Sequence, residues 1–242
     1  MGRSHDIATS SHGDTRYVNA AGDSMTGNLE VDGIIEIDKT GDHPALRFVE
    51  DGSNTRAYMG SGDWAINGLA NDDFGISSSS TGDLVLGTTA GVERLRIRNT
   101  GQVTKPSQPR FRAHTTASTD ITTQATIIYN ATTLNVGSHY NTSNGQFTAP
   151  VAGLYTFTSV HYHNYGTAGE VRLSLFKNGS ELENSRNSRS TSHNYYDRLR
   201  LTTELELAAN DYVYIRGQGI GGGQLHTSSG LGYSDFFGHL VG

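Results

Sequence analysis

Gly145-Gln-Phe-Thr-Ala-Pro-Val-Ala-Gly-Leu-Tyr-Thr-Phe157 is the stretch whose reading decides the fold. It reads as a turn, a strand that must stop at a proline, a second turn and a new strand. Pro150 has no backbone N–H to extend a ladder, and Gly153 supplies the backbone freedom of a tight turn. Beyond it, Tyr155 and Phe157 share one face of a strand, with Leu154, Thr156 and Thr158 on the other. The spacing predicts two antiparallel strands of a sandwich or barrel.

The rest of the chain agrees with an all-β reading. Of 242 residues, 17% are charged, 30 are Gly and 4 are Pro, and no stretch carries helical periodicity beyond a turn or two. That balance favours short strands joined by many turns. The formal net charge is −6, from 18 basic and 24 acidic side chains. No basic patch stands out, so nucleic acid is not an expected partner. Cysteine is absent, which removes disulfides and thiolate chemistry. The N-terminus lacks the apolar centre of a signal peptide, and no run approaches the about 20 apolar residues of a membrane-spanning helix. The expectation is a soluble chain made in a cytoplasm, with no membrane insertion.

Three regions follow. Residues 1–28 are polar and without sustained periodicity, an expected attachment segment. Residues 29–105 hold strand-like runs at Leu29–Ile37, Leu46–Glu50, Trp64–Leu69, Phe74–Ser77, Asp83–Leu86 and Arg94–Arg98, separated by turn clusters. The clearest alternation is Arg94-Leu-Arg-Ile-Arg98, with Leu95 and Ile97 facing one way. This region is too poor in apolar residues to build much of a core alone, so several chains sharing one core along an axis is the more economical arrangement. Pro106-Ser-Gln-Pro109 marks the break to the third region, residues 106–242, where alternation is richer. Val171, Leu173 and Leu175 alternate with polar residues, as do Leu199, Leu201, Leu205 and Leu207.

Residues 106–242 resemble the globular head of complement component 1q, a jelly-roll module related to tumour necrosis factor. The resemblance rests on ordered matches. Phe111-Arg-Ala113, Ile128-Tyr-Asn130 and the Gly145–Phe157 run come first. Leu173-Ser-Leu-Phe-Lys-Asn-Gly179, Leu205-Glu-Leu-Ala-Ala-Asn-Asp-Tyr-Val213 and Phe236-Phe-Gly-His-Leu240 follow. It implies an all-β, homotrimeric jelly-roll head and a binding role. Asn210 stands where that family usually has Gly, and Asn is the side chain that best tolerates a left-handed turn. Family members that bind calcium use an acidic loop before the last strand. Here residues 221–235 hold one carboxylate, Asp235, against the 6–8 oxygen ligands calcium takes.

Upstream, Gly22-Asp-Ser-Met-Thr-Gly-Asn-Leu29 and Glu93-Arg-Leu-Arg-Ile-Arg-Asn-Thr-Gly-Gln-Val103 resemble elements recurrent in bacteriophage tail-fibre proteins. Together these resemblances imply a tail fibre acting in the virion and made in a host bacterial cytoplasm. Its N-terminus would join a tail or baseplate protein, and its head would be a trimeric adhesin for a bacterial surface glycan or protein. A structural adaptor or decoration protein is the alternative from another class.

Four side-chain patterns bear on chemistry. Ser185–Arg200 gathers Arg189, His193, Asn194, Tyr195, Tyr196 and Arg198. Aromatic faces stack on sugar C–H surfaces while Asn and Arg hydrogen-bond hydroxyls, so this stretch is the expected glycan-binding segment. Tyr162, Tyr165 and Tyr233 are further residues of the same kind. His161 and His163 fall on one strand face about 7 Å apart, and at the axis of a trimer they would offer six nitrogens to a metal ion. Gly217-Gln-Gly-Ile-Gly-Gly222 has the spacing of a dinucleotide fingerprint, but the residues after it are loop formers rather than a helix start. No G-x-S-x-G elbow, carboxylate pair fixed by spacing or β-helix period is present, so a depolymerase or other enzyme is not expected.

Overall fold

The computed structural model describes residues 45–50, 54–61, 66, 70, 73–79, 81–89, 91–164, 167–189, 196–230 and 232–241. Every regular element among them is a strand. The chain divides into two compact units, Met1–Ser79 and Ser80–Gly242.

In the first unit, β1 (Ala45–Glu50), β2 (Asn54–Ser61) and β3 (Phe74–Ser78) form an antiparallel sheet in that order. The expected strands at Leu46–Glu50 and Phe74–Ser77 correspond to β1 and β3. β2 was not legible in the sequence, because Asn54-Thr-Arg-Ala-Tyr-Met-Gly-Ser lacks clean alternation. The attachment segment 1–28 and the run Leu29–Ile37 lie outside the described residues, as does Trp64–Leu69 apart from Ile66.

The second unit begins with a sheet of β4 (Leu84–Thr88), β5 (Val92–Ile97) and β6 (Val103–Thr104). The expected parity holds: Leu84 faces Ile97 and Ile97 faces Val103, while Val85, Arg96 and Thr104 form the opposite row. Arg96 is bracketed on its face by Asp83 at 2.6 Å and Glu93 at 2.5 Å.

Thirteen further strands build a sandwich of two antiparallel sheets. They begin with β7 (Arg110–His114), β8 (Thr119–Ile121), β9 (Ala125–Thr126), β10 (Ala131–Val136), β11 (Tyr140–Asn141) and β12 (Gln146–Thr148). The longer ones are β13 (Gly153–His163), β14 (Gly169–Lys177), β15 (Ser180–Arg189), β16 (Asp197–Leu207) and β17 (Tyr212–Ile220). β18 (Leu225–Thr227) and β19 (Asp235–Leu240) close the chain. One sheet runs β10-β7-β19-β13-β18-β8, with β16 also paired to β13; the other runs β11-β12-β17-β14-β15, with β9 on β17. This is a jelly roll.

The deciding stretch supplies the two expected strands of the sandwich, one to each sheet. β12 and β13 do not pair; they belong to opposite sheets, and Pro150-Val-Ala carries the chain across the sandwich. The Tyr155 hydroxyl donates to the Val151 carbonyl at 2.9 Å and so fixes the crossing from inside. Gly145 sits at φ 74°, where a Cβ would meet the Ile127 carbonyl oxygen at 2.7 Å. Only glycine meets both demands.

Tyr155 and Phe157 point into the core, beside Phe147, Phe111 and Phe236. Phe111 stacks on Phe147 at 4.9 Å and meets Phe236 edge-on at 5.0 Å. Such pairs add about 0.5–1.5 kcal/mol each beyond area burial. Asn210 adopts φ 71°, as its tolerance for the left-handed region predicts. Its N–H donates to the Ala149 carbonyl, and the Ala149 N–H donates to the Asp211 carbonyl, each at 2.8 Å.

The Gly217–Gly222 run is not a loop throughout. Gly217 to Ile220 belong to β17, and a Cβ on Gly219 would collide with the Gly223 backbone. Backbone approach requires glycine at Gly219, core side chains (Leu225, Ile121, Ile127) crowd Gly217, and Gly221 and Gly222 hold positive φ at a turn, so no phosphate cradle is needed to explain the run.

Candidate functional site

β13 alternates strictly over its last nine residues. Tyr155, Phe157, Ser159, His161 and His163 face inward, and Thr156, Thr158, Val160 and Tyr162 face the outer surface of their sheet. Tyr162 is therefore the outward residue at the end of the strand. On one side it is in register with Arg198 of β16, and on the other with His226 of β18. His226 in turn is in register with Asp120 of β8. Four strands thus place Arg198, Tyr162, His226 and Asp120 in one row on one face, as cross-strand pairing demands.

The row is tied together and roofed by aromatics. His226 Nδ1 lies 2.7 Å from Asp120 Oδ1. Tyr196, just before β16, meets Tyr162 nearly edge-on at 6.2 Å and His226 at 5.1 Å. Tyr233, in the loop before β19, lies 6.5 Å from Tyr162, and Arg198 donates to the neighbouring Gly232 carbonyl at 3.4 Å. Tyr196 is 48% exposed and Tyr233 55% exposed. Three tyrosine rings, an imidazole, a guanidinium and a carboxylate therefore meet on one open surface. Rings of this kind stack on the C–H faces of a sugar, while the charged groups hydrogen-bond its hydroxyls.

Of the residues expected to recognise a glycan, Tyr196 and Arg198 are in this cluster. Arg189 ends β15, but its side chain lies outside the described residues, as do His193, Asn194 and Tyr195. Tyr162 and Tyr233 join the cluster, and Tyr165 lies outside the described residues. His226 and Asp120 were missed. They sit 106 residues apart in the chain, and no local pattern marks either one.

The axial metal pair is corrected. His161 and His163 share a face as expected, but it is the inner one, and both are fully buried. Buried inside one chain, these imidazoles offer no surface to a second copy. His161 Nε2 lies 2.7 Å from the Tyr129 hydroxyl, which is 2.7 Å from Ser159 Oγ. Burial lowers the His161 imidazole from 6.5 to about 3, so it is neutral in this network. Burial likewise pushes the Tyr129 phenol well above its ordinary 10. No group of three or more His, Cys, Asp or Glu side chains with metal-binding geometry occurs among the described residues. Asp235, the one carboxylate of the 221–235 loop, is held structurally: Arg112 contacts it at 2.6 Å, and the Gly232 N–H reaches its oxygens at 3.1 Å.

A family model for the C1q domain matches residues 110–241. The C subunit of the complement C1q subcomponent of Mus musculus is 33% identical over 89 residues, which is 36% of this chain and 36% of that protein. The match thus spans about a third of that relative's length. Among solved structures, the globular domain of a zebrafish complement 1qA protein superposes with a TM-score of 0.44 at 18% identity, covering 56% of this chain and 98% of that one. An Eiger TNF from S. frugiperda gives 0.46 at 12% identity, covering 56% and 94%.

Proposed function

We propose, from the premise that the chain belongs to the C1q domain family through residues 110–241, that it is a non-catalytic recognition protein whose head binds a bacterial surface glycan. The observation that carries this reading is the row Arg198–Tyr162–His226–Asp120 with Tyr196 and Tyr233 exposed over it. The head is a homotrimer, so three shallow sites act together, and multivalency adds about 10²–10⁴ over one site. The elements at 22–29 and 93–103, which resemble tail-fibre sequences, support a fibre of a bacteriophage virion. In that setting residues 1–28 join a tail or baseplate protein, and the head meets the host.

The full chain tests this directly. Light scattering reads the copy number, and adsorption to bacterial cells, with an array of bacterial polysaccharides, reads binding. The expected result is a trimer that adsorbs to cells of some hosts and loses adsorption in the Tyr196→Ala/Tyr233→Ala variant. A trimeric chain that binds no polysaccharide and no cell in a broad panel overturns the adhesin reading and favours a structural adaptor. Release of oligosaccharide from a polysaccharide would overturn the non-catalytic part.

A further inference from the structure

The sheet β11-β12-β17-β14-β15 turns one face to the core and the other outward. On β17, Val213 and Ile215 are core residues, so Tyr212, Tyr214, Arg216 and Gln218 face outward. On β14, Leu173 and Leu175 are core residues, so Arg172, Ser174 and Phe176 share the outward face. Register sets Arg216 between Ser174 of β14 and Thr126 of β9, and sets Tyr214 beside Phe176. The guanidinium carbon of Arg216 lies 5.2 Å from the centre of the Phe176 ring. Tyr214 stacks on the same ring at 5.4 Å, and Tyr212 continues the stack at 6.2 Å. Phe176 is thereby buried on a face that otherwise meets water.

A guanidinium laid on an aromatic ring is held by cation–π attraction and by packing, so it is oriented before any ligand arrives. Arg216 Nε is buried without a hydrogen-bond partner, and among the described residues no carboxylate pairs with this guanidinium. Its neighbour Arg172 differs, because Glu181 of β15 meets its charge. Glu170, also on this face, lies two rows from Arg216, opposite Ile220, and has a partner of its own.

We propose that Arg216 is the centre of a second binding site, on this outer face, that takes the carboxylate of an acidic sugar residue. One uncompensated cation matches one carboxylate, and a planar guanidinium offers it two parallel N–H bonds. A phosphate monoester, with nearly two charges, would call for the second guanidinium that Glu181 already occupies. The groups beside the charge are neutral and polar: Thr126 in the same row and Gln218 in the next suit the hydroxyls of a sugar ring. Thr126 is exposed and also lines an open cleft with Ile128 and Asn130, which gives room for a neighbouring sugar residue. The choice of a saccharide rests on the glycan reading of the head. The site itself is separate from the Tyr162 row, which lies on the other sheet.

The full chain is titrated calorimetrically with a galacturonate tetrasaccharide, with maltotetraose as the neutral counterpart and with sodium acetate. The expected result is binding of the acidic tetrasaccharide alone, weakening as salt rises from about 50 to 300 mM. Arg216→Met should weaken it at least about tenfold. Arg216→Lys keeps the charge and the stem over Phe176 but not the paired N–H bonds, and should weaken it several-fold with the melting temperature unchanged. Tyr196→Ala/Tyr233→Ala should leave this binding as it is. No binding of the tetrasaccharide, or binding that persists in both Arg216 variants, overturns the site. Equal binding of acetate or maltotetraose overturns the choice of an acidic sugar. Binding lost in Tyr196→Ala/Tyr233→Ala but kept in Arg216→Met assigns the tetrasaccharide to the Tyr162 row, which overturns this site and leaves the glycan reading standing.

Discussion

The Tyr129 hydroxyl lies 2.7 Å from His161 Nε2 in the interior of the jelly roll, and both residues are fully buried. A neutral imidazole is therefore built into the core, and this has a consequence in acid. Burial first of all lowers its folded pKa to about 3 from an ordinary 6.5. The unfolded chain thus binds a proton that the folded chain refuses between those values. The contribution is fully present above pH 6.5 and is lost progressively as pH falls toward 3, with a slope of up to about 1.4 kcal/mol per pH unit. Urea denaturation at pH 7, 6 and 5 should show this loss, and His161→Gln should flatten it. Equal slopes in the two proteins would refute the assignment.

Gly238 of β19 is in register with Phe157 of β13, its neighbour in the sheet. A Cβ there would meet Phe157 Cδ1 at 2.5 Å and the Thr156 carbonyl oxygen at 2.6 Å. Backbone cannot yield as a side chain can, so Gly238→Ala is expected to cost about 1–3 kcal/mol. The melting temperature of the purified head-containing chain measures it, and an unchanged midpoint would contradict the packing.

Asn210 holds φ 71° at the turn between β16 and β17. Replacing it with Gly should keep or slightly raise stability. Replacing it with Val should lower stability by about 1–2 kcal/mol, since a branched side chain resists the left-handed region. Chemical denaturation of the two variants side by side gives the ordering, and a Val variant as stable as the Gly variant would be inconsistent with the turn.

Tyr196 lies outside the core and is half exposed. Tyr196→Ala should leave the melting temperature within about 1 °C while weakening binding of the cognate polysaccharide about 2–10-fold per site, the range expected for one aromatic contact. Asp120→Asn removes the carboxylate beside His226 and should weaken binding in the same range. Titration calorimetry with short saccharide fragments reads the single-site effect without the gain from multivalency.

Much of the fold was legible because its signals are local. Pro150, Gly145 and the alternation in β13 announced strands and turns before any tertiary contact was known. The placement of His161 and His163 was legible too. Both have the parity of Tyr155 and Phe157, and the strand between them has no bulge. Carrying that parity six residues further puts both imidazoles in the core.

The sequence by itself determined that the chain is all-β and that its second half is a C1q-type head, and it marked residues 29–105 as thin in apolar side chains. These follow from period, turn chemistry and apolar content, which depend on near neighbours along the chain. Only the tertiary structure decided which strands pair and in which register. That register sends β12 and β13 to opposite sheets. It also brings Arg198, Tyr162, His226 and Asp120 into a single row from four strands. The reason is physical: a two-residue period tells which side chains share a face, but which face is covered depends on backbone pairing between distant segments.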